Sequence, residues 1–189
     1  MYRLAFFASG SGTNVQNICE YFQSHNSIKP VVIFSDREDS FVLKRAKNLN
    51  IKSECFNYLI TTPENLLKRL NKHQITHIIL AGYLRLIPSK IIKSFKNKIF
   101  NIHPSLLPKF GGKGFYGHHV HKSVLDSKEK KSGITIHLVN EIYDGGRVLF
   151  QESTPVYDDD DVHSLSSRIH DLEYKYYPLI IEKYLLNQL

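Results

Sequence analysis

Two cysteines, Cys19 and Cys55, are all that this 189-residue chain contains. They cannot build a disulfide framework and form no Cys-x-x-Cys pair, so reduced thiols in a cytoplasmic protein are the simpler reading. No apolar run approaches the ~20 residues of a membrane span. The opening Met1-Tyr2-Arg3-Leu4 lacks a signal peptide's succession of basic, apolar and small residues. Internal repeats, low-complexity tracts and Pro/Gly/Ser linkers are missing too, so residues 1–189 are expected to make one domain. Acidic residues are the scarcer charge. Eighteen Asp and Glu against 25 Lys and Arg leave a net charge of +7. A basic protein attracts anions, including nucleic acid, phosphorylated metabolites and polycarboxylates. The lysines are dispersed, however, and the densest group (Lys128, Lys130, Lys131) includes Glu129. A solvated face accounts for that group better than a nucleic-acid surface.

What is present is an ordinary globular composition, 42% hydrophobic and 23% charged. Apolar β-type runs alternate with helical stretches. Tyr2–Ala8 is nearly continuously apolar, as a strand buried on both faces should be. A helix follows over 13–22, with Val15, Ile18, Cys19 and Phe22 on one face. The pattern then predicts strands at 30–35, 51–56, 77–81 and 99–102, with helices at 39–49, 63–72 and 88–95 between them. Strand and helix in such alternation mean a parallel sheet covered by helices. The second half changes rhythm. Residues 134–139 and 147–152 read as an antiparallel pair around Asp144-Gly145-Gly146. A last helix begins near Asp161, where Asp158–Asp161 supply capping carboxylates. Pro178 is expected to interrupt it.

The turn Ala8-Ser9-Gly10-Ser11-Gly12-Thr13-Asn14 joins the first strand to a helix N-terminus. Free N–H groups and the helix dipole favour an anion there, and glycine lets backbone approach it. A dinucleotide fingerprint would want glycine where Val15 stands, and a Walker A loop would want Ser or Thr after Gly112-Lys113. Two readings remain, a monophosphate site and a tight turn with no ligand. Further along, Asn101-Ile102-His103-Pro104-Ser105-Leu106-Leu107-Pro108 follows a strand's carboxyl end, where open α/β sheets bind ligands. Asn101 and His103 lie two apart and face one side of extended chain. An amide donor beside an imidazole is suited to a developing oxyanion.

Asn101–Pro108, the loop Gly10–Asn14 and Asp144-Gly145-Gly146 together resemble the folate-dependent formyltransferases, over residues from Leu4 to about Tyr184. The resemblance implies an α/β, Rossmann-like formyltransferase fold, a mostly parallel mixed sheet with helices on both faces. It also implies transfer of a formyl group from 10-formyltetrahydrofolate, a cosubstrate, to the glycine amine of glycinamide ribonucleotide in purine biosynthesis. The alternative is a formyltetrahydrofolate hydrolase, which would carry an N-terminal regulatory domain; a tRNA-directed relative would carry a further C-terminal one. The family's catalytic trio falls on Asn101, His103 and Asp144. Its phosphate loop falls on Gly12, Thr13 and Asn14, and its substrate contacts on His170, Asp171, Leu172 and Glu173. Folate contacts fall on Leu84, Arg85, Leu86 and Ile87, on Asn101, and on Asn140, Glu141, Ile142, Tyr143 and Asp144. The implied partners are the two small molecules, with no nucleic acid or membrane, and the protein is expected as a monomer or homodimer.

The residue types suit the implied chemistry. Asn101 and a protonated His103 would donate to the tetrahedral oxyanion, and an ionised Asp144 would raise the His103 pKa. No metal is expected, since the folate already carries an activated formyl group. His118, His119 and His121 lack an acidic or cysteine partner at zinc spacing, and read as loop and helix start.

Overall fold

A computed structural model describes the whole chain, Met1–Leu189. Seven strands make one mixed sheet in the order β3-β2-β1-β4-β5-β6-β7, the architecture expected from the alternation of strand and helix. The chain divides into two compact units, Met1–Phe100 and Asn101–Leu189.

The first unit holds β1 (Tyr2–Phe7), α1 (Thr13–Tyr21), β2 (Ile28–Ser35), α2 (Phe41–Asn48), β3 (Lys52–Cys55), α3 (Pro63–Lys72), β4 (His77–Leu80) and α4 (Ser89–Ser94). β5 (Ile99–His103) starts here. β1 pairs in parallel with both β2 and β4, and β2 with β3. β1 and β4 are buried along most of their length because helices cover them, and Leu4, Phe6, Phe7, Ile78 and Ile79 are wholly inaccessible. Each such side chain contributes roughly 1.5–3 kcal/mol. β2 begins two residues earlier than the sequence suggests. Pro30 offers no N–H to the ladder, and the β1–β2 register slips there, from Leu4↔Pro30 to Ala5↔Val32. The strand survives the proline as a bulge. α3 starts at its proline as expected, with the Thr62 hydroxyl accepting from the Asn65 N–H.

The second unit holds the end of β5, then α5 (His118–Asp126), β6 (Lys131–Leu138), β7 (Val148–Pro155) and α6 (Val162–Leu185). β6 and β7 are antiparallel, as the pattern around Asp144-Gly145-Gly146 predicts. α5 grows from the histidine-rich segment, burying Val120, His121 and Val124. α6 opens with Asp161 and Ser164 capping each other's backbone N–H groups. The expected interruption at Pro178 does not occur, and the helix runs through it for 24 residues. An interior proline costs about 3 kcal/mol. Tyr177, Ile180, Ile181 and Leu185 are buried around it, and packing on that scale exceeds the penalty.

Candidate active site

Strand alternation on β5 puts Asn101 and His103 on one side of the chain. Asp144 reaches both from the β6–β7 connection. Its Oδ1 accepts from Asn101 Nδ2 at 3.4 Å, and its Oδ2 lies 3.5 Å from His103 Nδ1. The carboxylate is fixed from a third direction by the Gly112 N–H, at 2.9 Å from Oδ2. Two backbone features make this convergence possible. Asp144 has φ of 52°, a left-handed conformation that few residues other than glycine adopt. Gly111 leaves room beside it, since a Cβ there would stand 2.3 Å from Leu107 Cδ2.

A fourth residue joins them that the sequence reading passed over. His137 on β6 is buried, with Nε2 3.1 Å from Asn101 Nδ2 and 3.7 Å from Asp144 Oδ1. Its Nδ1 donates to the Leu138 carbonyl at 3.2 Å, which leaves Nε2 to accept from the Asn101 amide. A histidine inside the apolar run Ile134–Leu138 was the available signal. Its partner depends on the placement of β6 beside β5, which spacing along the chain does not reveal.

Burial and charge compete at His103. Burial pushes its pKa down, and Asp144 and the Phe110 carbonyl only partly offset this. The direction is therefore opposite to the rise expected from Asp144 alone. Desolvation of a ring that is 4% exposed outweighs the carboxylate at 3.5 Å. His103 rests as a neutral imidazole whose Nε2–H donates to the Phe110 carbonyl at 2.7 Å. Its Nδ1 lone pair then faces Asp144. For Asp144 burial would raise the pKa, but His137, His103 and the Gly112 N–H prevail and hold it below the ordinary carboxylate value.

Other predicted segments of the second unit have defined roles in its structure. Asn140 folds the connection by accepting from the Ile142 N–H at 2.9 Å and donating to the Gly145 carbonyl at 3.0 Å. Glu141, Ile142 and Tyr143 are exposed around that turn. On α6, Glu173 is buried and Asp171 exposed, with Leu172 half-buried. His170 Nδ1 stands 2.8 Å from Glu173 Oε2, and that hydrogen bond raises the His170 pKa. At His121 burial outweighs the opposing charge of Glu173. Burial lowers its pKa to about 4. No group of three or more His, Cys, Asp or Glu is arranged to hold a metal ion.

The first unit contains the glycine loop. Gly12 has φ of 74° and caps α1, and a Cβ there would meet Val42 Cγ2 at 2.2 Å. No side chain caps the helix, and its first turn carries no acidic residue. Thr13 and Asn14 begin that turn. The loop is held by α2, where the Ser40 hydroxyl donates to the Gly10 carbonyl at 2.9 Å and Arg45 Nε to the Ser11 carbonyl at 2.8 Å. Arg45, absent from the sequence-level site, adds a cation beside an open helix N-terminus. After β4, the Leu84 N–H donates to the Ser9 hydroxyl and Arg85 pairs with Asp36 at 3.0 Å. Tyr58 donates to the Leu86 carbonyl, and Ile87 is buried.

This fold, with an Asn-x-His strand end and an aspartate turn, corresponds to a known class of protein. The chain belongs to the formyl transferase family, whose model matches residues 2–181. It is 38% identical over 188 residues to a chloroplastic phosphoribosylglycinamide formyltransferase of Vigna unguiculata, covering 95% of this chain and 60% of the relative. It is 32% identical to the phosphoribosylglycinamide formyltransferase of Bacillus subtilis, covering 98% of this chain and 95% of that one. A crystal structure of phosphoribosylglycinamide formyltransferase from Streptococcus pneumoniae superimposes with a TM-score of 0.87 at 33% identity, over 98% and 99% of the two chains. The chain thus spans under two thirds of the length of the plant relatives and nearly all of the bacterial structure.

Proposed function

We propose that this protein transfers the formyl group of 10-formyltetrahydrofolate to the glycine amine of glycinamide ribonucleotide, a step of purine biosynthesis. The convergence of Asn101, His103, His137 and Asp144 within one unit carries this reading. As the amine attacks the formyl carbon, negative charge gathers on the formyl oxygen. The Asn101 amide is the donor to it. Its 3.4 Å bond to Asp144 is long and gives way to a better acceptor, while the 3.1 Å bond to His137 keeps the amide oriented. His103, neutral at the outset, takes up the proton that the amine sheds. A proton on Nδ1 turns the 3.5 Å approach to Asp144 into a charge-assisted pair, so the carboxylate stabilises the imidazolium as it forms; the imidazolium then returns that proton to the folate nitrogen as the formyl carbon–folate nitrogen bond breaks, the oxyanion collapses to the formamide and His103 is again neutral. This reverses the order expected from the sequence, in which His103 begins charged.

The Gly12–Asn14 turn and Arg45 suit the phosphate of the ribonucleotide, and Glu173 with His170, Asp171 and Leu172 suits its polar body. Leu84–Ile87 and Asn140–Asp144 take the folate. Residues 1–189 act as one formyltransferase domain in the cytoplasm, as a monomer or homodimer, without nucleic acid or metal. The test is release of folate from a 10-formylfolate donor, followed spectrophotometrically with and without glycinamide ribonucleotide. Release that requires the ribonucleotide is expected. Release without it would identify a formyltetrahydrofolate hydrolase instead.

A further inference from the structure

The segment after β5 carries the carbonyl on which His103 leans, and a chain of side-chain hydrogen bonds pins that segment to β6 and β7. Thr135 on β6 is inaccessible, and its hydroxyl is fully engaged. It donates to the Ser105 carbonyl at 2.7 Å and accepts from the Leu107 N–H at 3.0 Å. Its second lone pair accepts from Gln151 Nε2 at 2.8 Å. Gln151 stands directly opposite Thr135 in the β6–β7 ladder, so the two side chains share a face. The other hydrogen of the same amide goes to the Leu107 carbonyl at 3.0 Å. These partners fix which way the amide points. The Leu107 carbonyl can only accept, and the Thr135 hydroxyl already gives its proton to Ser105, so nitrogen rather than oxygen faces both. Ser105 passes the restraint on, its own hydroxyl donating to the Lys109 carbonyl at 2.7 Å. The next residue is Phe110, whose carbonyl accepts the His103 Nε2–H at 2.7 Å. Phe110 has φ of 55°, a conformation that an aromatic residue keeps only where its surroundings impose it.

We propose that Gln151 is a positioning residue for the transfer, its amide locking residues 105–110 and, through them, the orientation and tautomer of the His103 ring. Its amide bonds Thr135 and Leu107 rather than His103 or Asp144, so it acts only through the segment it holds. The effect is chemical as well as mechanical. A neutral imidazole can carry its proton on either nitrogen. With the Phe110 carbonyl held against Nε2, that nitrogen keeps the proton and the Nδ1 lone pair faces Asp144, ready for the proton of the attacking amine. A carbonyl that swings away frees Nε2, lets the proton distribute over both nitrogens and removes one of the contacts that raise the His103 pKa. His103 then becomes a weaker base as well as a less well aimed one. The catalytic role rests on the proposed reaction; the control of the ring does not.

The test is Gln151→Met, which keeps the length of the side chain and removes both donors at an exposed position of β7. Ring-nitrogen NMR of His103 in the free, intact protein is combined with steady-state kinetics across pH. The unaltered protein should show a single Nε2–H tautomer. The Met variant should show a mixture, with the His103 titration midpoint moved to lower pH. Its kcat should fall about tenfold while the KM values for ribonucleotide and folate stay near constant, and the acid limb of the kcat/KM profile should move with the ring. Unchanged His103 signals and an unmoved pH profile in the Met variant would overturn the proposal and reduce Gln151 to a tie between strands, whatever happened to stability. An altered ring in a protein that shows no ribonucleotide-dependent folate release would overturn the catalytic role and uphold the control of His103.

Discussion

The two units handle polar groups differently. In the first, β1 buries only apolar side chains at its centre and the glycine turn presents backbone groups: an uncapped helix end and carbonyls braced by Ser40 and Arg45. In the second, titratable side chains are driven inward, with His103, His121, His137 and Glu173 all less than a tenth exposed. A parallel βα half offers regular, cheaply satisfied geometry for holding an anion. An antiparallel half with a bent connection can aim side chains at one point, at the cost of desolvating them.

Asp144→Asn is the largest expected break in that contrast. It should lower kcat by about 10²–10⁴-fold with little change in the ribonucleotide KM, because it removes the charge that receives the His103 imidazolium. Steady-state kinetics across pH checks it, and an unaltered pH–rate profile would deny Asp144 this role. Gly146→Ala should come next. A Cβ there would lie 1.6 Å from the Leu138 carbonyl oxygen, so a loss of more than about 3 kcal/mol is expected in thermal or urea unfolding. Gly10→Ala, in the first unit, meets nothing within 4 Å and should stay within about 0.5 kcal/mol.

Acid should then separate native from unfolded chain through two buried histidines. His77 and His121 are each lowered from 6.5 to about 4 by burial. Between those values the unfolded chain binds more protons than the native one, so stability falls as pH drops from about 6.5 towards 4. Each site accounts for at most about 3 kcal/mol, and His121→Gln should flatten the pH dependence of the unfolding free energy by up to that amount. The smallest effect belongs to the glycine turn. Thr13→Ala with Asn14→Ala should raise the ribonucleotide KM roughly tenfold at near-constant kcat. A rise in the folate KM alone would mean that the phosphate lies elsewhere.

Most of the elements are legible in the residues, because apolar period and Pro/Gly punctuation are local properties. α3 has its predicted ends, and the β6–β7 pair was readable from its turn. Proline was the weak guide. Pro30 and Pro178 were read as a boundary and a break, yet both lie inside elements whose packing overrides the local penalty. The Asn101–His103–Asp144 grouping was visible through its motif and family resemblance. His137 and Arg45 were not, since each acts on a partner 29 to 36 residues away. The protonation of His103 was misjudged for the same reason. A neighbouring carboxylate can be read from a motif, whereas the depth of burial is a property of the folded chain.

Both margins of the sheet carry their own protection against adding further strands. β3 is only four residues long and exposes Lys52 and Ser53 ahead of Glu54. β7, at the other end of the strand order, places Glu152 mid-strand and stops at Pro155, which has no N–H to offer an incoming chain. Short length, charge and proline each make an open edge a poor template. The protein can therefore keep an open sheet and still resist self-association into fibres, a form of colloidal insurance that requires neither a closed barrel nor a covering segment.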